Sequence, residues 1–108
     1  MSHAFEEITA LNRLIHEPAR LAIMTVLSVC ESADFLYLQH LTGLTKGNLS
    51  GHLTKLEEAG FLSSEKDFIG KTPRTRVRIS ETGRRAIEQH WQKLAELRTC
   101  TQTWRPES

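Results

Sequence analysis

Residues 38–61 read LQHLTGLTKGNLSGHLTKLEEAGF, and their reading decides the fold. Leu38 and Leu41 open one short helix. Gly43 ends it, because a sharp turn there needs a positive φ that glycine tolerates. Thr45 is placed to cap a second helix running to Gly60, itself a candidate C-cap. Leu49, Leu53 and Leu56 recur at spacings of four and three and form one apolar stripe. The opposite face carries Gly47, Gly51 and Glu58, flanked by Asn48, Ser50, Thr54 and Lys55. Each mid-helix glycine costs about 0.8–1 kcal/mol relative to alanine, and on the polar side neither contributes to a core. Together they leave a thin surface that another backbone can approach closely, ringed by hydrogen-bonding and cationic side chains that include Lys46. A helix that reads base edges in a major groove needs those properties. The bland alternative is an amphipathic helix with two tolerated glycines.

Outward from this unit, the sequence predicts a first helix over 4–16, with Phe5, Ile8, Leu11 and Ile15 on one face. A second starts at Pro18 and runs to about Cys30 through LAIMTVLSVC, apolar enough for the centre of the core. Cys30 is expected to be a buried apolar residue there. Residues 31–33 read as a loop and Phe35–Tyr37 as a short strand. Downstream, Leu62–Asp67 reads as a strand and Ile69–Pro73 as a turn. Arg74–Ile79 alternates, with Thr75, Val77 and Ile79 to one face and Arg74, Arg76 and Arg78 to the other. Folding alone offers no reason to gather three arginines on one face; a phosphate backbone does, although charged edge strands also serve to block aggregation. Ser80 is a good N-cap for a last helix to about Arg98, striped by Ile87, Trp91, Leu94 and Leu97. The first and last helices both present spare apolar faces. They suggest a two-fold dimer interface made by Phe5, Ile8, Leu11, Ile87, Trp91 and Leu94; the alternative is that they pack on each other within one subunit. Residues 99–108 read as a mobile tail.

The 108 residues suffice for one domain with one modest core. The formal net charge is only +1, but its distribution is uneven. Residues 61–85 carry seven basic and three acidic groups, against two and five in residues 1–37, which suggests a polyanion contact on one face. No apolar run approaches the ~20 residues of a membrane span, and no secretory signal is evident, so a cytoplasmic location is expected. The two cysteines and five histidines show neither a disulfide framework nor metal-ligand spacing, and no catalytic motif appears. No cofactor or metal is expected, and no enzymatic activity.

The order of these elements resembles a winged helix-turn-helix transcriptional regulator of the ArsR/MarR-like group. HEPARLAIMTVL at 16–27, LTGLTKGNLSGHLTKLEEAGFL at 41–62 and TRVRISETGRRAI at 75–87 carry the resemblance, which spans roughly 5–98. It implies a mainly α fold with a small β-hairpin wing and dimerisation helices at both ends, forming a single domain over 1–98. It also implies sequence-specific binding of double-stranded DNA by a homodimer. The recognition helix, 45–59, would place Lys46, Asn48, Ser50, Gly51 and Thr54 in the major groove, with Thr45 and Lys55 at its flanks. The wing, 66–78, would set Lys71, Thr72, Arg74 and Arg76 on the backbone or adjacent minor groove. His52 is taken as structural. Gly51 stands where relatives often carry a larger polar residue, and LQHLTGL lacks the paired cysteines of the metal-sensing members. The chain could still bind a small-molecule effector between the dimer helices, with no pocket identifiable from sequence. The rival reading is a winged-helix module that binds protein, which would show exposed apolar anchors on the third helix or wing.

Overall fold

The computed structural model describes residues 12–103. Among them, four helices and three strands follow one another: α1 Pro18–Cys30, β1 Ser32–Asp34, α2 Phe35–Thr42, α3 Lys46–Glu58, β2 Leu62–Ile69, β3 Thr72–Ile79 and α4 Glu81–Thr103. The sheet is antiparallel in the order β1-β3-β2. This is a winged helix fold, mostly helical.

The expected helix over 4–16 is not continued in its described part. Residues 13–17 form turns and bends, with Ile15 and His16 N–H both donating to the Asn12 carbonyl. Pro18 disfavours helical backbone at the residue before it. Glu17 is extended instead (φ −135°, ψ 133°) and caps α1, its carboxylate accepting from Ala19 and Arg20 N–H. Phe5, Ile8 and Leu11 lie outside the described residues. Ile15 is fully buried and joins the core of Ile23, Met24, Leu27, Leu38, Leu49 and Leu56.

Two local expectations are corrected at the end of α1. Cys30 is exposed, not buried; it lies three residues beyond Leu27, the last inward side chain of the helix. The strand lies at 32–34, not 35–37, and Phe35–Tyr37 form the first turn of α2. Glu31 turns the chain at φ 67°, its N–H held by the Leu27 carbonyl, and β1 then pairs Ser32, Ala33 and Asp34 with Arg78, Val77 and Arg76. As a helical turn, FLY packs Phe35 on the core and leaves Leu36 and Tyr37 exposed.

The helix–turn–helix matches its reading. Gly43 has φ 69°, and the Thr45 hydroxyl accepts from Asn48 N–H. The α3 terminus is a Schellman motif: Phe61 N–H reaches the Leu56 carbonyl, Gly60 N–H reaches that of Glu57, and Gly60 sits at φ 80°. Ser80 ties the next helix to this corner. Its hydroxyl donates to the Gly60 carbonyl and accepts from Gly83 N–H, while its own N–H donates to the Phe61 carbonyl. A Cβ on Gly83 would collide with the Phe61 backbone oxygen. Gly83→Ala is therefore expected to destabilise the fold by about 1–3 kcal/mol, read as a lower midpoint in urea unfolding.

Helix α4 continues past Arg98 to Thr103, and its apolar stripe changes character along its length. Ile87 is 1% exposed and belongs to the chain's own core, whereas Trp91 is 43% exposed. Ile87 is thus not available to a second subunit as expected; the first turns of α4 lie against α1, and the stripe emerges only beyond them. His90 is buried beside it, its Nε2 3.2 Å from His16 Nδ1. Burial, then His16, then Lys93 hold its imidazole pKa below the usual value. A neutral histidine in the fold that can charge once unfolded stabilises above the ordinary histidine range and loses that contribution as pH falls through it. The melting temperature should accordingly drop on acidification from pH 7 toward pH 5, and His90→Leu should flatten that limb.

Candidate nucleic-acid interface

The polar side of α3 is open. Leu49, Leu53 and Leu56 fill the core, while Thr45, Lys46, Gly47, Asn48, Ser50, Gly51, Thr54 and Lys55 are all exposed. A Cβ at Gly47 or Gly51 would meet nothing within 4 Å. The fold itself therefore makes no demand for either glycine. Thr54 donates its hydroxyl to the Ser50 carbonyl one turn back, which leaves its oxygen as an outward acceptor.

His52 faces the body of the protein. Arg20 Nη1, which can only donate, is 3.0 Å from His52 Nδ1, and Glu17 Oε2 lies 3.5 Å from the same nitrogen. The cap of α1 is thereby joined to the middle of α3. Burial pushes the Glu17 carboxyl up, but the Arg20 and Ala19 N–H donors and the charges of His52 and Arg20 outweigh it and leave its pKa below the usual range.

The wing has two chemically different faces. Residues of β2 pair with those of β3 from Leu62↔Ile79 to Ile69↔Thr72, and Gly70 (φ 62°) and Lys71 make the two-residue turn. By strand alternation, Leu62, Ser64, Lys66 and Phe68 share the inner face with Ile79, Val77, Thr75 and Pro73. The arginines lie on the outer face, and two of them have partners there. Arg74 grips Asp67 through two hydrogen bonds of 2.8 and 2.7 Å, and Asp34 Oδ1 lies 4.0 Å from its Nε. Asp34 Oδ1 is also 3.8 Å from Arg76 Nε, and Glu65 stands opposite Arg76 in the ladder. The hydrogen bond to Arg74 holds the Asp67 carboxyl below its usual range. Folding thus does supply a reason to gather arginines on this strand: acids on both neighbouring strands face them. Arg78, between Ser32 and Ser63 in register, is exposed.

The inner face of the wing and the polar face of α3 enclose a cleft of about 350 Å³, where Lys46, Ser50 and Thr54 of α3 face Ser64, Lys66 and Thr75 of the sheet. At its inner end the Ser64 hydroxyl hydrogen-bonds Glu57, fastening β2 to α3. Lys46 and Lys66 also line an adjoining cavity of about 480 Å³ between the wing and α2. Lys66 was not among the residues singled out from sequence. Its parity was the available signal: it falls in step with buried Leu62, so it had to face α3. The structure brings Lys46, Ser50 and Thr54 together with Lys66, sets Lys71 and Thr72 at the wing tip, and turns Arg76 to the opposite side. Among the described residues, no cluster of three or more histidine, cysteine or acidic side chains could hold a metal ion.

Residues 19–98 match the family described as the winged helix DNA-binding domain, and the chain belongs to that family. An uncharacterized protein of Methanocaldococcus jannaschii is 33% identical over 85 residues, which is 79% of this chain and 92% of that one. The structure of a transcriptional regulator homologue from Pyrococcus horikoshii superposes with a TM-score of 0.83 at 29% identity, covering 93% of this chain and 98% of that one. NadR in complex with 4-hydroxyphenylacetate shares the fold at a TM-score of 0.65 and 19% identity, over 94% of this chain and 79% of that one. Its other structural neighbours include regulators of the MarR and ArsR families. The chain is thus a winged-helix DNA-binding domain. No helix among the described residues is long and apolar enough to cross a membrane.

Proposed function

We propose that this chain is a cytoplasmic, dimeric, sequence-specific regulator that lays α3 in the major groove and draws one phosphate strand into the cleft between α3 and the wing. The observation that carries this reading is the pairing of Lys46 and Lys66 across that cleft, with the Ser50 and Thr75 hydroxyls beside them able to donate to phosphate. Asn48, Ser50 and Gly51 then meet base edges, and Thr45, Thr54 and Lys55 flank them. Lys71 and Thr72 reach past the strand at the wing tip. Arg74 and Arg76 act mainly on the wing itself, with Arg78 the more available outer cation. Half-sites about one helical turn apart would place one α3 in each. Selection of duplexes from a random pool tests the proposal: a recovered two-fold repeat supports it, and a pool that stays random after repeated selection contradicts it.

The dimer in this proposal uses the exposed part of α4. Trp91 is 43% exposed in the isolated chain, and Leu94 and Leu97 are half-buried along the same side. A combined Trp91→Glu and Leu94→Glu variant should sediment as a monomer and bind a selected two-fold site at least about 100-fold more weakly, since each half then binds alone. A small effector would find space in the cavity beside the wing and compete there with the phosphate strand for Lys46 and Lys66.

One observation favours the rival, a protein-binding module: Phe68 and Ile69 on the wing are 69% and 60% exposed. A protein-binding wing predicts that charge removal at Lys46 and Lys66 leaves partner binding intact and that duplex DNA is ignored.

A further inference from the structure

His52 has one edge of its ring against the protein and the other open. Arg20 Nη1 is 3.0 Å from Nδ1 and can only donate. Nδ1 therefore accepts, and the proton of the neutral ring sits on Nε2. Glu17 Oε2, an acceptor, lies 3.5 Å from the same Nδ1. One nitrogen thus stands between a donor and an acceptor, and imidazole is the side chain whose charge changes nearest neutrality. On taking a proton from solvent, Nδ1 would exchange Arg20 for Glu17. Arg20 would keep its hydrogen bond to the Leu14 carbonyl and its ion pair with Glu17. Both protonation states of the ring find a partner already in place.

The other edge has none. The His52 side chain is 22% exposed, and no residue among those described pairs with Nε2, which is not one of the buried unpartnered nitrogens. Asn48 lies four residues before His52 and Lys55 three after, so the three share one side of α3; Asn48 and Lys55 are both exposed. A phosphate running along that side would meet Nε2–H between them. Glu17 and Arg20 are the charged groups in contact with the ring among the described residues. Lys55 is the charged neighbour on its own helix, and α2 and β2, which also pack on α3, bring no charged group to it.

We propose that His52 couples DNA binding to proton uptake: Nε2–H donates to a backbone phosphate, and the negative charge draws a second proton onto Nδ1, where Glu17 receives it. Glu17 and Arg20 are positioning residues that act on DNA through His52. The charged ring is favoured in the complex, so the complex holds more protons than its separate parts, and affinity rises as pH falls. This inference rests on the DNA-binding reading above and goes beyond it, since phosphate binding by lysines exchanges no proton near neutrality.

The test uses the full chain and a random-sequence duplex. Calorimetry near pH 6.5 in buffers of different ionisation enthalpy should show net proton uptake when the wild-type protein binds. Anisotropy should show binding about 5-fold tighter at pH 6 than at pH 8 for each α3 engaged, the margin of a charged over a neutral hydrogen bond. The salt slope should steepen by about 0.9 on the same change of pH. His52→Asn keeps an acceptor for Arg20, and His52→Gln keeps an outward donor; neither side chain titrates. Both variants should show one salt slope at the two pH values and no proton uptake. Each protein is compared with itself, so a purely structural loss leaves these differences unmoved, and His16 and His90 are present throughout. Binding by the wild type without proton uptake would overturn the coupling and leave the DNA reading standing; so would variants that keep the wild-type pH dependence. Absence of binding to any duplex at either pH would remove both.

Discussion

Removing both cleft lysines, Lys46→Ala with Lys66→Ala, is expected to weaken binding to random-sequence duplex about 100-fold near physiological salt and to reduce the slope of log K against log salt by about 1.8. Each phosphate contact releases condensed counterions, and each adds about 0.9 to that slope on duplex DNA. The two lysines face one cleft from opposite walls and are exposed, so the fold should tolerate their loss. Arg76→Ala sets the contrast. Assignment of Arg76 to a wing that contacts the phosphate backbone, made from sequence alone, implies that its loss weakens binding to all sequences and shallows the salt slope. In the structure Arg76 lies on the outer face near Asp34, so its removal should cost far less affinity than removal of Lys66. Salt titrations of the three proteins by fluorescence anisotropy check this, and equal losses for Arg76→Ala and Lys66→Ala would show that the wing presents its other face.

Gly51→Ala is expected to move stability and binding in opposite directions. Gly51 sits within α3, and a Cβ there meets no atom within 4 Å. The methyl group should therefore stabilise the isolated protein by about 0.8–1 kcal/mol through helix propensity alone. The same methyl group occupies the thin strip where α3 would approach base edges most closely, and should cost the selected site about 1–3 kcal/mol, the range of one spoiled base contact. Urea unfolding and anisotropy on one preparation give both numbers. If affinity rises with stability, the strip does not face DNA. Asn48→Ala provides the partner measurement: a reading side chain changes which base is preferred, whereas a phosphate contact lowers affinity for all sequences.

The helix–turn–helix was legible because its signals are local and redundant. Leucines at 49, 53 and 56 fix the buried side of α3, Thr45 caps it, and Gly43 and Gly60 mark bends that both adopt positive φ. The wing strands were legible from the alternation of Val77 and Ile79 with arginines. What failed was non-local or too short to carry a period. A three-residue strand has no periodicity, so β1 was displaced onto the Phe35–Tyr37 triplet that opens α2. The partners of Arg74 and Arg76 come in part from Asp34, some forty residues earlier, and no spacing rule joins them. Ile87 and Trp91 occupy one stripe in sequence, yet one is in the core and the other on the surface, a difference that helical period does not encode. The constraint at Gly83 arises from the Phe61 backbone, again a contact between distant segments. Lys66 was within reach of sequence reasoning through its parity with Leu62, whereas the density of positive charge is highest on the arginine strand.

The central claim is that the cleft between α3 and the wing holds a phosphate strand of duplex DNA. Its most direct test is the anisotropy of a labelled random-sequence duplex titrated with the protein across a salt series at neutral pH. The account predicts dissociation constants of about 10⁻⁴–10⁻⁶ M near physiological salt, tightening steeply as salt is lowered. Absence of binding at the lowest salt, or binding indifferent to salt, would contradict it.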